Sequence, residues 1–166
     1  MEQHVEKINT VCFTGHRTIP RYEALQIPSA LKAELEVLIK NGAVNFRAGG
    51  AIGFDTIAAL CVLELKEKYP HIRLELFIPC KDQTKFWPRD SIEVYNYIFS
   101  KASYVNYTSE HYTQWCMMAR NRKLVDGSQA CIAYLSKSTG GTAYTFDYAL
   151  KNKLNVINIY EKISRR

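Results

Sequence analysis

Glycine recurs in this chain at places where a ligand would be held by the backbone. Thr14-Gly15-His16-Arg17, Gly49-Gly50-Ala51-Ile52-Gly53-Phe54-Asp55 and Ser138-Thr139-Gly140-Gly141-Thr142 each follow a short β-branched or aromatic run and precede a segment of helical period. Glycine admits positive φ and lets a ligand approach the main chain with no Cβ in the way, while free N–H groups at a helix start favour negative charge. Phosphate is the natural guest of such turns. Arg17 and Arg120 add planar forks of donors that match phosphate or carboxylate oxygens. The plainer reading of any one of these glycines is a tight strand-to-helix turn and nothing more. His16 stands where an imidazole contacts phosphate, moves a proton, or simply rests hydrogen-bonded at the surface. Asp55 is placed either to cap the helix after Gly53 or to hold a ribose hydroxyl.

Other chemistries lack their residues. There is no GxxxxGK[ST] and no GxGxxG, which argues against a nucleoside triphosphatase and a simple NAD dehydrogenase. No HExxH, Ser-His-Asp ordering or carboxylate pair emerges, so the catalytic residues are unknown and enzymatic activity is left open. The five cysteines, Cys12, Cys61, Cys80, Cys116 and Cys131, are scattered with no CxxC. They indicate neither a disulfide framework nor a zinc site; no metal and no cofactor is expected, and most read as small buried apolar residues. In the loop from Pro79 to Pro88, Phe86 and Trp87 either stack on a base or anchor packing. Glu110 and His111, near Tyr112, make no case of their own.

The elements that must position these turns alternate. Strands are expected at Ile8 to Thr14, Val44 to Ala48, Ile72 to Phe77, Ser103 to Asn106, Ala130 to Leu135 and Val156 to Tyr160. Between them, Leu31, Leu35, Leu38 and Ile39 form an amphipathic stripe closed by Asn41-Gly42. The segment Asp55 to Lys68 is apolar almost all round, as in a helix pressed on a sheet and covered by a neighbour. Further helices are expected around Ile92 to Phe99, Trp115 to Val125 and Thr142 to Lys151. This rhythm argues for an α/β three-layer sandwich built of βαβ units, with a mainly parallel sheet of about six strands flanked by helices. Right-handed crossovers then bring every strand-to-helix turn to one rim of the sheet.

With 166 residues, 47% apolar and 23% charged, the chain suits a single domain over residues 1–166 with a real core. Its apolar runs, such as Ile57 to Leu63 and Ala130 to Leu135, fall far short of a membrane span. The segment Met1-Glu2-Gln3-His4-Val5-Glu6-Lys7 has no apolar stretch that could act as a signal peptide, so the expected location is cytoplasmic, with no membrane partner. Lys and Arg number 22 against 16 Asp and Glu, a net charge of +6 that favours anionic partners. The one dense basic cluster is Ser164-Arg165-Arg166, and no aromatic-plus-basic stripe stands out along the sequence, which ranks nucleic-acid binding below a small nucleotide ligand. Eleven tyrosines, seven phenylalanines and two tryptophans leave some aromatics for a self-association surface and hence a homo-oligomer.

Taken in order, Cys12-Phe13-Thr14-Gly15-His16-Arg17, Ala48-Gly49-Gly50-Ala51-Ile52-Gly53-Phe54-Asp55 with Ala58-Ala59, Ile78-Pro79-Cys80 with Gln83 and Trp87, Arg120-Asn121 with Val125-Asp126, and Gly140-Gly141-Thr142 with Tyr148-Ala149 resemble the YpsA-like branch of the SLOG superfamily. That resemblance implies a Rossmann-like fold and binding of a nucleotide or nucleotide-derived ligand, in a sensor or regulatory role. The ligand-binding positions it implies are Gly15, His16, Arg17, Gly49, Gly50, Gly53, Asp55, Arg120, Asn121, Gly140, Gly141 and Thr142. The superfamily also includes the LOG phosphoribohydrolases, which cleave the base from a nucleoside monophosphate, and DprA, which binds single-stranded DNA. Two alternatives stand beside it: an enzyme splitting an N-glycosidic or phosphate bond in such a ligand, for which His16, Asp55 or Asp126 are the candidate acid or base, and single-stranded nucleic-acid binding. Against a motif resembling PGGxGTxxE, Thr145 stands at the position of the catalytic glutamate, with Asp147 nearby on the same helix; the departure weighs against LOG-type hydrolysis.

Overall fold

The computed structural model describes residues 7–164; the segment before Lys7, and Arg165 and Arg166 of the basic cluster, lie outside them. The order is β1 (Thr10–Gly15), α1 (Arg21–Ala24), α2 (Ile27–Lys40), β2 (Asn45–Ala48), α3 (Phe54–Lys68), β3 (Arg73–Cys80), α4 (Arg89–Lys101), β4 (Tyr104–Ser109), α5 (Cys116–Val125), β5 (Ala130–Tyr134), α6 (Gly141–Lys151), β6 (Asn155–Asn158) and a 3-10 turn (Ile159–Lys162). One six-stranded sheet runs β4-β3-β2-β1-β5-β6, and every neighbouring pair is parallel. The chain winds outward from β1 to the β4 edge, then returns past β1 to lay down β5 and β6. The direction of winding reverses between β1 and β5, and open α/β sheets bind ligands in the crevice at such a reversal, at the strands' C-terminal ends.

Alternation along each strand sorts side chains between two layers. On one face Val11, Phe13, Phe46, Leu74, Leu76, Ile78 and Ile132 meet α2 and α3. The stripe Leu31, Leu35, Leu38 and Ile39 is buried here, and α3 is packed between α2, α4 and the sheet. The opposite face, under α5 and α6, has a smaller apolar core of Cys12, Phe77, Leu124, Val125, Cys131 and Ala149. Arg47 supplements it. Its guanidinium lies 4.9 Å over the Phe77 ring, donates from Nε to Glu75 Oε1 at 3.2 Å, and from Nη1 to the Asp126 carbonyl at 2.7 Å. That last bond satisfies a carbonyl at the C-terminal end of α5, where cations are favoured. All five cysteines are buried and unpaired.

Among the boundaries that differ from the sequence reading, such as β4 running to Ser109 where Asn106 was expected, two have a plain physical cause. The last strand was expected to run to Tyr160, but pairing stops at Ala133 opposite Asn158. The Asn158 side chain grips Leu135 through N–H and carbonyl (3.1 and 3.0 Å) and accepts from Tyr160 N–H at 3.1 Å, turning the chain into the 3-10 segment. In the other direction β3 continues through Pro79 to Cys80. A proline is tolerated there because β2 has already ended at Ala48, opposite Leu76.

Candidate ligand-binding site

At the β1–β5 reversal lies a cleft of about 220 Å³. Gly15, His16 and Arg17 enter it from the end of β1, Asp55 from α3, Arg120 and Asn121 from α5, and Gly140, Gly141 and Thr142 from the turn into α6. Gly49, Gly50 and Gly53 do not line it. Thr14, Met117 and Leu124 also face the cleft and were not anticipated. The signal for the last two was present: Met117, Arg120, Asn121 and Leu124 stand at i, i+3, i+4 and i+7, one face of α5.

The glycines divide into packed and open. A Cβ on Gly53, which sits at φ +84°, would collide with the Arg17 backbone, so this residue lets the turn after β2 press against the turn after β1. The Phe54 N–H donates to the His16 carbonyl at 3.1 Å across the same seam. Gly15 is covered by the Phe54 ring, and Gly50 by Ile78. Gly140 is different. At φ +97° and ψ −175° it occupies a region essentially reserved for glycine, and nothing lies within 4 Å of the space its Cβ would fill. It is the N-cap of α6 without a side-chain cap, so the first-turn N–H groups of that helix are open to a ligand.

Asp55 and Arg120 form the floor, 7% and 4% exposed. Asp55 Oδ2 accepts from Ala51 N–H at 3.2 Å. Burial pushes its carboxyl above the ordinary value, against the pull of Arg120 and of the Ala51 N–H. Burial likewise lowers the Arg120 guanidinium while Asp55 opposes it, yet a guanidinium stays protonated. Arg120 Nη1 donates to the carbonyls of Gly49 and of Phe77, the latter at 3.2 Å, and Nε donates to Asn121 Oδ1 at 3.0 Å. This side chain is thus a clamp joining α5 to β3 and to the turn after β2. Because Asn121 Oδ1 is engaged, the amide presents Nδ2, which lies 3.8 Å from the Cβ position of Gly141, as a donor.

Arg17 is exposed and makes no hydrogen bond or ion pair with the described residues, which leaves it as the available cation. His16 is committed to structure: Nε2 accepts from Ser136 N–H at 3.0 Å, tying the end of β1 to the exit of β5. An accepting Nε2 requires the neutral ring protonated on Nδ1. Partial burial and Lys137 both lower its pKa in keeping with that. Thr145 Oγ1 donates back to the Gly141 carbonyl at 2.9 Å, Asp147 is exposed and does not line the cleft, and Asp126 accepts from Tyr148 Oη (2.8 Å) at the far end of α5. Asp55 is the one carboxylate among the described residues that lines the cleft. No group of histidine, cysteine, aspartate and glutamate among them is arranged to hold a metal ion, and no helix is long and apolar enough to cross a membrane.

A family profile described as the YspA SLOG family matches residues 15–162, from the turn after β1 to the 3-10 segment. The chain belongs to the YspA SLOG family. It is 32% identical over 143 residues to the SPbeta prophage-derived protein YoqJ of Bacillus subtilis (strain 168), covering 78% of this chain and 84% of that one. Among solved structures, DprA of Streptococcus pneumoniae superposes with a TM-score of 0.65 at 19% identity, over 90% of this chain and 50% of that one. DprA of Helicobacter pylori, described in a single-stranded DNA binding mode, gives 0.64 at 21% identity, over 91% and 65%. This SLOG chain therefore spans about half to two thirds of the DprA chains whose fold it shares, and at these identities the likeness is one of fold.

Proposed function

We propose that this SLOG protein binds a nucleotide or nucleotide-derived ligand in the β1–β5 cleft, in a sensor or regulatory role, with the phosphate on the open N-terminus of α6. The observation that carries this reading is the Gly140-Gly141-Thr142 turn, uncapped and unobstructed, in one cleft with Arg17, which bonds to none of the described residues. Helix N–H groups and a guanidinium supply charge-assisted bonds to an anion. Asn121 Nδ2 adds a donor, and no glutamate stands where the LOG enzymes carry theirs.

The test is thermal stabilisation by ribose 5-phosphate, nucleoside monophosphates and ADP-ribose. A ligand at a hundred times its Kd adds about 2.7 kcal/mol, roughly 5–10 °C for a chain of this size. No shift with any of them at millimolar concentration defeats the proposal.

A second reading, single-stranded DNA binding, draws support from the DprA neighbours and from exposed aromatics of the loop after β3 and the loop before α5: Phe86, Tyr112 and Trp115 are 90%, 68% and 67% exposed. They come from two loops and were not recognisable as a stripe in the sequence. Gel shifts with oligonucleotides at two salt concentrations test it, since phosphate contacts make affinity fall steeply with salt.

A further inference from the structure

Helix α4 carries two apolar stripes, and one of them is left uncovered. Tyr95 and Ile98 pack on the main core, and Ile98 is the one buried residue of this helix. Val94 and Tyr97 stand on another side and are 36% and 51% exposed. The strip continues onto the neighbouring α3, where Leu60 is 37% exposed and the half-buried Ile57 and Leu63 lie three residues to either side. A hollow of about 390 Å³ adjoins Ile57, Val94 and Asp90 at one end of the strip. At the other end a hollow of about 260 Å³ is lined by Leu63, Tyr97, Lys66, Glu67 and Lys101.

Opposite charges mark the two ends. Asp90 in the first turn of α4 and Lys101 in its last are both exposed, and neither forms an ion pair with the described residues, whereas Arg89 pairs with Glu93 at 3.4 Å. The order Asp90, Val94, Tyr97, Lys101 advances by four, three and four residues, the spacing at which one face of a helix meets another helix. It is also symmetric about its centre. Laid antiparallel on a second copy of itself, the stripe sets Val94 against Tyr97 twice and Asp90 against Lys101 twice. No like charges oppose each other along it, and the hollow with Lys66, Glu67 and Lys101 receives the other copy's Asp90.

We propose that α4 is a homodimer contact, in which two copies pack α4 on α4 antiparallel about a two-fold axis that passes between Val94 and Tyr97, with the exposed strip of α3 as its flank. Such an isologous contact uses one patch twice, which is why the stripe must be its own complement. Tyr97 is the anchor, an aromatic with the apolar area that interface centres favour. As the crossover between the parallel strands β3 and β4, α4 runs against them, so the two-fold sends the C-terminal ends of the two sheets in opposite directions. Each copy keeps a separate cleft.

Sedimentation equilibrium of the whole chain tests the contact. At about 500 µM, a concentration suited to a small and therefore weak interface, the wild type should have twice the mass of the chain. Tyr97→Ala should weaken association by about tenfold or more. Its circular dichroism should not change, since the side chain it truncates is half in solvent. Asp90→Lys and Lys101→Asp, each alone, bring like charges together at both ends of the stripe and should each weaken the dimer about tenfold. Mixed in equal amounts, these two variants should regain the wild-type affinity as a heterodimer, because each meets the opposite charge at both ends. A wild type that stays monomeric at that concentration overturns the proposal. So does a dimer indifferent to Tyr97→Ala, or a mixture that associates no more tightly than its separate variants.

Discussion

Asp55 and Arg120 meet across a glycine: a Cβ on Gly49 would stand 2.7 Å from Asp55 Oδ2 and 2.7 Å from Arg120 Nη1. Neither neighbour is the loose end of an exposed side chain, for both are buried and Arg120 is held by two carbonyls. Gly49→Ala is expected to destabilise the protein by about 1–3 kcal/mol, the usual cost of overpacking. Gly141→Ala is the control. It meets only Asn121 Nδ2 at 3.8 Å, and at a helical position should be neutral or stabilising by up to about 1 kcal/mol. Urea denaturation of both variants measures the contrast, and equal midpoints would refute the packing argument.

Arg120→Ala should cost more than Asp55→Asn. The first takes the donor away from the Gly49 and Phe77 carbonyls and the favourable charge away from Asp55, a loss of about 1–3 kcal/mol for each buried carbonyl left unsatisfied. The second removes a charge that burial already disfavours and keeps an acceptor for Ala51 N–H. Chemical denaturation gives the order; a larger loss in Asp55→Asn would show that Arg120 is not the clamp.

The Arg17→Ala variant separates binding from folding. The side chain is exposed and bonds to none of the described residues, so stability should move by no more than about 0.5 kcal/mol. Affinity for a phosphate ligand should fall by roughly 10-fold or more, the worth of a charge-assisted hydrogen bond of about 1.5–3 kcal/mol. Titration of wild type and variant at one ionic strength decides it.

His16 gives the protein a mild acid sensitivity. Its folded pKa is lowered by burial first and by Lys137 second. The unfolded chain therefore takes up the proton more readily. The contribution is whole above about pH 6.5 and is lost as pH falls from there through the lowered folded value. His16→Gln should shrink the drop in stability between pH 7.5 and pH 5 relative to wild type, read from urea midpoints at the two values; an identical drop would mean that the Ser136 N–H bond does not depend on the neutral ring.

The alternation of elements was readable because strand and helix periods differ, and the stripe from Leu31 to Ile39 is where the sequence places it. The rim followed from topology: parallel strands joined by crossovers send their exits to one side. What stayed hidden was the partition of the glycines. Whether Gly53 faces a ligand or a backbone depends on Arg17, thirty-six positions away in the chain, and whether Gly15 is open depends on Phe54. The pairing of Phe86 with Tyr112 was hidden for a similar reason, since neither loop carries a mark of the other; only the adjacency of β3 and β4 joins them. Tyr160 was misread as strand because its apolar neighbours outweigh the one Asn158 side chain that turns the chain.

The bonds of Arg47 to the foot of α5, and of Arg120 midway along it, make the two layers of this fold respond differently to cold. Apolar burial, which fastens α2 and α3 to their face, weakens as water is chilled. Guanidinium-to-carbonyl bonds do not draw on that source. On cooling, the α2–α3 layer is therefore expected to lose the larger share of its stabilisation, and the wall that carries the cleft the smaller.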